Sequence, residues 1–349
     1  MIITMRDDSD LDQQRRVVRH IQERGFQTHV LGRGGDTVIG VSGRTVTPAL
    51  REEFAGLGGV ASVTPGTRPY MLAQREARPG GTRVYVGNVV IGADDPVIMA
   101  GPCVIEGHDQ MIEAAQAVKA AGATMLRGGA FKPRTSPYSF QGLGEDGLKI
   151  LALARDLTGL PVVTEVMEPD QVELVAHYAD MLQIGSRNMA NFPLLRRAAT
   201  AGKPILLKRG FSATVEEWLM SAEYLLAGGN DQVVLCERGI RSFDTATRFT
   251  LDLNAVPLAR ELSHLPVVVD PSHGTGRREL VEPMALAGMA AGAHGLIVEV
   301  HPSPDEALCD AQQSIAPDVL DRIVTRAMAI ADLLAPAPRV TSITALAAD

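Results

Sequence analysis

Reactive side chains crowd one short run of this chain, LRGGAFKPRTS, where Arg127, Lys132 and Arg134 fall within eight residues. A guanidinium fork matches the paired oxygens of a carboxylate or phosphate, and a lysine ammonium adds a movable charge and a proton. Pro133 fixes φ between the second and third cations, so the loop that holds them is expected to be rigid. A second set is spread further along the chain: Cys103, His273, Glu299 and Asp310. A thiol, an imidazole and two carboxylates suit one borderline divalent ion, Mn²⁺, Fe²⁺, Co²⁺ or Zn²⁺, better than Mg²⁺ or Ca²⁺. Taken singly, each has a plainer reading as a buried inert thiol, a turn-capping histidine or a solvated acid. Whether they converge depends on the elements that carry them.

Apolar strand runs alternate with helical stretches eight times after residue 95. The runs are Pro96 to Ala100, Ala123 to Leu126, Pro161 to Thr164, Met181 to Ile184, Pro204 to Leu207, Gln232 to Leu235, Pro266 to Val269 and Gly295 to Val298. Helices are expected near 109–121, 145–158, 170–178, 191–200, 214–227, 250–262, 279–291 and 317–334. Eight such units predict an α/β fold, a (β/α)8 TIM barrel, with a doubly wound open sheet as the alternative. Residues 1–66 read β (Ile2 to Met5), α (Ser9 to Arg24, with Ser9 as N-cap), β, β, α (Pro48 to Ala55), β. That order is the α+β ferredoxin-like βαββαβ unit, and it contains no catalytic constellation. Residues 67–81 read as a linker, 82–335 as the barrel with an N-terminal hairpin turning at Gly87-Asn88, and 336–349 as a tail.

In such a barrel chemistry sits at the C-terminal strand ends, which here read Cys103, Arg127, Glu165, Arg187, Lys208, Arg238, His273 and Glu299. With Lys132 and Arg134, six cations then converge on one mouth, enough for two phosphorylated or carboxylated substrates. Gly185-Ser186 and Gly210 to Ser212 offer backbone donors at turns, a common phosphate cradle. Cys103, His273 and Glu299 belong to strands one, seven and eight, neighbours around a closed barrel, and Asp310 follows the last strand, which favours a shared metal.

Composition narrows the classes. The 349 residues carry a formal charge of -8, so no global positive field favours nucleic acid or an anionic membrane. Three cysteines without CxxC spacing argue against a disulfide framework and for a reducing cytoplasm. No apolar run approaches a membrane span and no targeting signal is visible.

The stretches AGPCVIEG, LRGGAFKPRTSPYSFQGLGE, TEV, QIGSRN, LLKRG, LCERGIR, LPVVVDPSHGTGRR and GAHGLIVEVHPSPDEALCDAQQS run through every strand end. They closely resemble the 3-deoxy-D-arabino-heptulosonate 7-phosphate (DAHP) synthases of the short-barrel type with an N-terminal ferredoxin-like regulatory domain. The resemblance implies a metal-dependent condensation of phosphoenolpyruvate with erythrose 4-phosphate, the first step of the shikimate pathway to aromatic amino acids. By motif, the metal ligands would be Cys103, His273, Glu299 and Asp310. Arg127, Lys132, Ser186, Arg187, Lys208 and Arg238 would hold phosphoenolpyruvate, and Arg134 and Thr135 erythrose 4-phosphate. Lys132 would supply a proton and Glu165 would position water. The likeness further implies a homotetramer or homodimer with a tyrosine or phenylalanine effector at the N-terminal domain. One departure is visible: Ala311 stands where the family has glycine, which leaves the loop conformation there open. The competing readings are a 3-deoxy-manno-octulosonate 8-phosphate synthase, a metal-dependent hydrolase barrel and a non-catalytic effector-binding barrel. The first shows Lys-Ala-Asn-Arg where this chain has Lys132-Pro133-Arg134-Thr135. Hydrolase barrels use more histidine than the single one in the candidate ligand set, His273.

Overall fold

The computed structural model describes residues 1–32, 36–66, 68–133, 136 and 138–335. The N-terminal unit comprises β1 (Ile2–Met5), α1 (Leu11–Glu23), β2 (Gln27–Leu31), β3 (Val38–Ser42), α2 (Pro48–Ala55) and β4 (Val60–Thr64). Its sheet runs in the order β2-β3-β1-β4 with antiparallel neighbours, the ferredoxin-like arrangement. The N-cap of α1 is Asp10 rather than Ser9: its side chain takes the Gln13 N–H while Gln13 returns a bond to the Asp10 N–H. An aspartate in that reciprocal box caps better than a serine one residue too early.

Side chains along β1 alternate between the two faces of the sheet. Ile3 and Met5 meet α1 and α2 through Val17, Ile21 and Phe54. Ile2, with Leu31 and Val38, joins the apolar cluster that continues through Tyr70, Leu72, Ala73 and Ala77 into the barrel's outer shell. Both faces are thus covered. Gly40 in β3 permits this, because a Cβ there would stand 2.9 Å from Leu72 Cδ2.

The hairpin β5 (Val84–Val86) and β6 (Val89–Ile91) precedes the barrel. Val84, Val86 and Ile91 pack against Val97, Met125, Val163 and Val268 inside it, closing the end where the strands begin. The barrel strands are β7 (Val97–Gly101), β8 (Met125–Arg127), β9 (Val162–Glu165), β10 (Met181–Ile184), β11 (Ile205–Lys208), β12 (Val233–Glu237), β13 (Val267–Val269) and β14 (Gly295–Glu299). All pair in parallel, and β14 closes onto β7 with Glu299 opposite Gly101. Around them run α3 (His108–Ala120), α4 (Glu145–Thr158), α5 (Val172–Tyr178), α6 (Phe192–Ala199), α7 (Val215–Ala227) and α8 (Ala255–Leu262). A short helix α9 (Pro271–Thr275) then precedes α10 (Arg278–Ala290) and α11 (Pro317–Leu334). The closed barrel excludes the open-sheet alternative.

The 250–262 helix expectation is shortened to α8 because its first turn is engaged elsewhere. Thr250 bridges Ile240, and Asp252 accepts from Arg209. Among the described residues no helix is long and apolar enough to cross a membrane.

Candidate metal and anion site

Five strand ends run one residue beyond their apolar core, so Arg127, Glu165, Lys208, Glu237 and Glu299 are paired into the barrel ladder. Their backbones are fixed by the sheet, and their side chains gain defined positions. One cavity of about 320 Å³ collects Cys103, Arg127, Lys132, Glu165, Ser186, Arg187, Lys208, Arg238, His273 and Asp310. Glu299 is buried beside it, accepting from Arg127 Nη1 at 3.2 Å. Arg134 and Thr135 lie outside the described residues.

Ligand atoms of Cys103, His273, Glu299 and Asp310 all lie within 4.8 Å of one another. Three features fit these residues to a transition metal. First, Asp270 Oδ2 sits 2.8 Å from His273 Nδ1, which places that proton outward and leaves Nε2, 3.1 Å from Glu299 Oε1, as the free ligand atom. Burial lowers the His273 pKa to about 4, so the ring is neutral, the form that binds metal. Second, burial opposes ionisation of Glu299, but neighbouring His273, Arg127 and Lys132 outweigh it and hold the carboxyl below its ordinary value. Asp310 is likewise held low, against burial, by Lys132, His273 and Arg248. Third, the Cys103 thiol is pushed well up by its Cys309 contact and by burial, and a coordinating cation deprotonates such a thiol outright.

The cations have distinct settings. Lys132 Nζ lies 2.5 Å from Cys103 Sγ and 3.0 Å from Asp310 Oδ2. Burial pulls its pKa down, yet Cys103, Glu299 and Asp310 outweigh that and raise it. Lys208 Nζ bonds Asp270 Oδ2 at 2.5 Å. Arg238 lies over Phe249, 4.1 Å from the ring centroid, with its pKa lowered by burial to about 10 and Nη1 buried without a partner. Ser186 Oγ is buried and equally unpartnered. Two orphaned donors in one cavity mark where an oxyanion fits. The Gly210 N–H, by contrast, meets Met189 Sδ at 3.0 Å instead of facing the cavity as a cradle donor.

Sequence reasoning did not single out Asp270, Gln313, Arg248 or Arg209. Asp270 stands at the end of β13 three residues before His273, a spacing that lets one side chain cap α9 and hold the ring. Gln313 Nε2 donates to Glu299 Oε2 at 2.6 Å, and its Oε1 accepts from Arg248, which also reaches Asp310. Arg209 spans Glu237 and Asp252. The doubt attached to Ala311 is answered by its neighbour: Asp310 adopts φ 53°, and Ala311 opens a 3-10 turn. Asp is among the residues that tolerate the left-handed region, so glycine is not needed at 311.

Fold and site together define a (β/α)8 barrel whose cation-lined mouth lies beside a candidate transition-metal centre. Two family models match the chain: residues 71–333 fit the DAHP synthetase I family and residues 1–65 the DAHP synthase ferredoxin-like domain. The chain is 47% identical over 334 residues to a phospho-2-dehydro-3-deoxyheptonate aldolase of Thermotoga maritima, covering 96% of this chain and 98% of that protein. A crystal structure of such an aldolase (DAHP synthase) from Thermotoga maritima matches at TM-score 0.75 and 47% identity, over 95% of this chain and 97% of that one. A truncated 3-deoxy-D-arabino-heptulosonate 7-phosphate synthase from Thermotoga maritima matches at TM-score 0.71 and 48% identity, over 76% of this chain and 97% of its own. A 2-dehydro-3-deoxyphosphooctonate aldolase of Desulfatibacillum aliphaticivorans is 35% identical over 264 residues, 70% of this chain and 95% of that protein. The chain belongs to the DAHP synthetase I family.

Proposed function

We propose that the chain joins phosphoenolpyruvate, erythrose 4-phosphate and water to give 3-deoxy-D-arabino-heptulosonate 7-phosphate and inorganic phosphate. The observation that carries this reading is the shared cavity: six described cations, the buried unpartnered Ser186 Oγ and Arg238 Nη1, and three of the four candidate metal ligands line one volume of about 320 Å³, with Glu299 buried beside it. Ser186, Arg187, Lys208 and Arg238 hold the phosphate of phosphoenolpyruvate, with Arg127 and Lys132 on its carboxylate. Cys103, His273, Glu299 and Asp310 would hold a divalent transition metal, which would supply Lewis acidity for the condensation. C3 of phosphoenolpyruvate attacks the aldehyde carbon of erythrose 4-phosphate, and Lys132, whose ammonium already stands among Cys103 and Asp310, gives the proton to the forming alkoxide. Glu165, steadied by Gln183 Nε2 at 3.2 Å, positions the water that adds at C2. Phosphate then leaves into the field of Arg187, Lys208 and Arg238, which is already in place. Arg134 and Thr135 are assigned to erythrose 4-phosphate on family resemblance.

The same reading includes a homotetramer or homodimer, a tyrosine or phenylalanine effector at residues 1–66, and a cytoplasmic setting. Three free, buried cysteines support the last. Loss of phosphoenolpyruvate absorbance is the test, with erythrose 4-phosphate set against arabinose 5-phosphate, before and after chelation. Turnover with erythrose 4-phosphate, lost on chelation and restored by Mn²⁺ or Zn²⁺, is expected. Preference for arabinose 5-phosphate, or full activity in protein shown to be stripped of metal, overturns the reading. Deleting residues 1–66 is expected to leave turnover but remove the response to effector, and equal inhibition of both forms refutes that part.

A further inference from the structure

We propose that the opposite end of the barrel carries a separate binding site for a small carboxylic acid with an apolar body. A cavity of about 560 Å³ opens there, where Pro96, Leu265 and His294 lead into β7, β13 and β14. That volume lies within the ordinary range for small-molecule sites. Its walls join three parts of the chain: Arg75 and Gly81 from the segment linking the two domains, Arg260 at the end of α8, and Leu334 at the end of α11.

Two guanidinium groups face this space without a carboxylate within ion-pair distance among the described residues. Arg75 spends Nε and Nη2 on the Arg260 carbonyl, and Arg260 spends Nη1 on the Gly292 carbonyl, 2.6 Å away. The remaining N–H groups of both are unassigned. Burial and then the Arg260 charge lower the Arg75 pKa, so the pair opposes itself electrostatically. His294 adds a third donor. Its Nδ1 stands 3.0 Å from the Val267 N–H, which can only donate, while the Val267 carbonyl is farther at 3.3 Å. The neutral ring therefore carries its proton on Nε2, for which no acceptor exists among the described residues. Asp94, the one lining carboxylate, is exposed and makes no ion pair. Leu265, Met289 and Leu334 add apolar lining to the same cavity. A cavity that combines two guanidinium forks and an imidazole N–H with aliphatic lining matches a carboxylate attached to an apolar body.

Titration calorimetry of the full chain with phenylacetate tests this, with phenylacetamide as the uncharged counterpart. Phenylacetate is expected to bind saturably and phenylacetamide much more weakly. Arg260→Met keeps the aliphatic stem and removes the charge, and it should weaken phenylacetate about tenfold or more while phosphoenolpyruvate turnover is retained. Leu334→Glu, at an exposed position, should weaken it as well by setting a like charge at the rim. The proposal is overturned by absence of saturable phenylacetate binding, by equal binding of phenylacetamide, or by unchanged affinity in either variant.

Discussion

Lys132 is the residue on which the proposed chemistry turns, because its ammonium is the proton source nearest the four candidate ligands. Lys132→Arg keeps the charge but substitutes a group that does not deprotonate in proteins. The expected result is a kcat loss of roughly 10²-fold or more with a smaller change in phosphoenolpyruvate affinity; an unchanged kcat assigns the proton to another donor. Gln313 acts one bond further out, holding Glu299 Oε2 at 2.6 Å. Gln313→Leu should lower Mn²⁺ affinity by about 10- to 100-fold, read by chelator competition, since partners that orient a ligand contribute on that scale. Equal affinity removes Gln313 from the metal's support. The two thiols make a third case: Cys103 Sγ and Cys309 Sγ lie 3.8 Å apart. After chelation and exposure to air, mass spectrometry is expected to find them joined, with activity recovered by a thiol reductant. Inactive protein with both thiols free counts against it. The four candidate ligands were legible in the sequence because each is a reactive type standing at or just beyond a strand end. Asp270 and Gln313 were not, because their effect passes through a second hydrogen bond that no one-dimensional spacing encodes.

At the level of elements, apolar runs gave the strands, but pairing continues one residue past apolarity at Arg127, Lys208 and Glu299. Hydrophobic pattern reports burial, whereas the ladder is set by backbone hydrogen bonds, and the two stop at different residues. The docking of the N-terminal sheet was equally hidden, since it rests on tertiary partners. Glu223 in α7 accepts the N–H groups of Met71, Leu72 and Ala73 at 2.8 to 3.0 Å. Leu72 then packs beneath β3, where Gly40 leaves room. Glu223→Ala strands three donors at once, and a loss of roughly 3 kcal/mol or more is expected in chemical unfolding. Amide exchange at Met71 to Ala73 should accelerate with it. Unchanged exchange there means the segment is held by apolar packing alone.

For the molecule as a whole, the linking segment and the barrel floor meet at one buried imidazole. His264 Nε2 lies 2.6 Å from the Leu72 carbonyl, so it donates, and Nδ1 accepts from Thr82 Oγ1 at 2.6 Å. Burial lowers its pKa to about 4, and burial together with Arg260 does the same for His294 nearby. Both pKa values are depressed relative to the unfolded chain, near 6.5. Between those limits the unfolded state binds more protons, so stability is fully present above about pH 6.5 and is lost as pH falls through about 4. Each shift corresponds to roughly 3 kcal/mol. Urea unfolding across this window should therefore show a midpoint that falls on acidification. In His264→Gln, whose amide can replace both hydrogen bonds without titrating, the pH slope should shrink by about one proton's worth. An identical slope in the two proteins excludes His264 from the acid response and leaves the carboxylates to account for it.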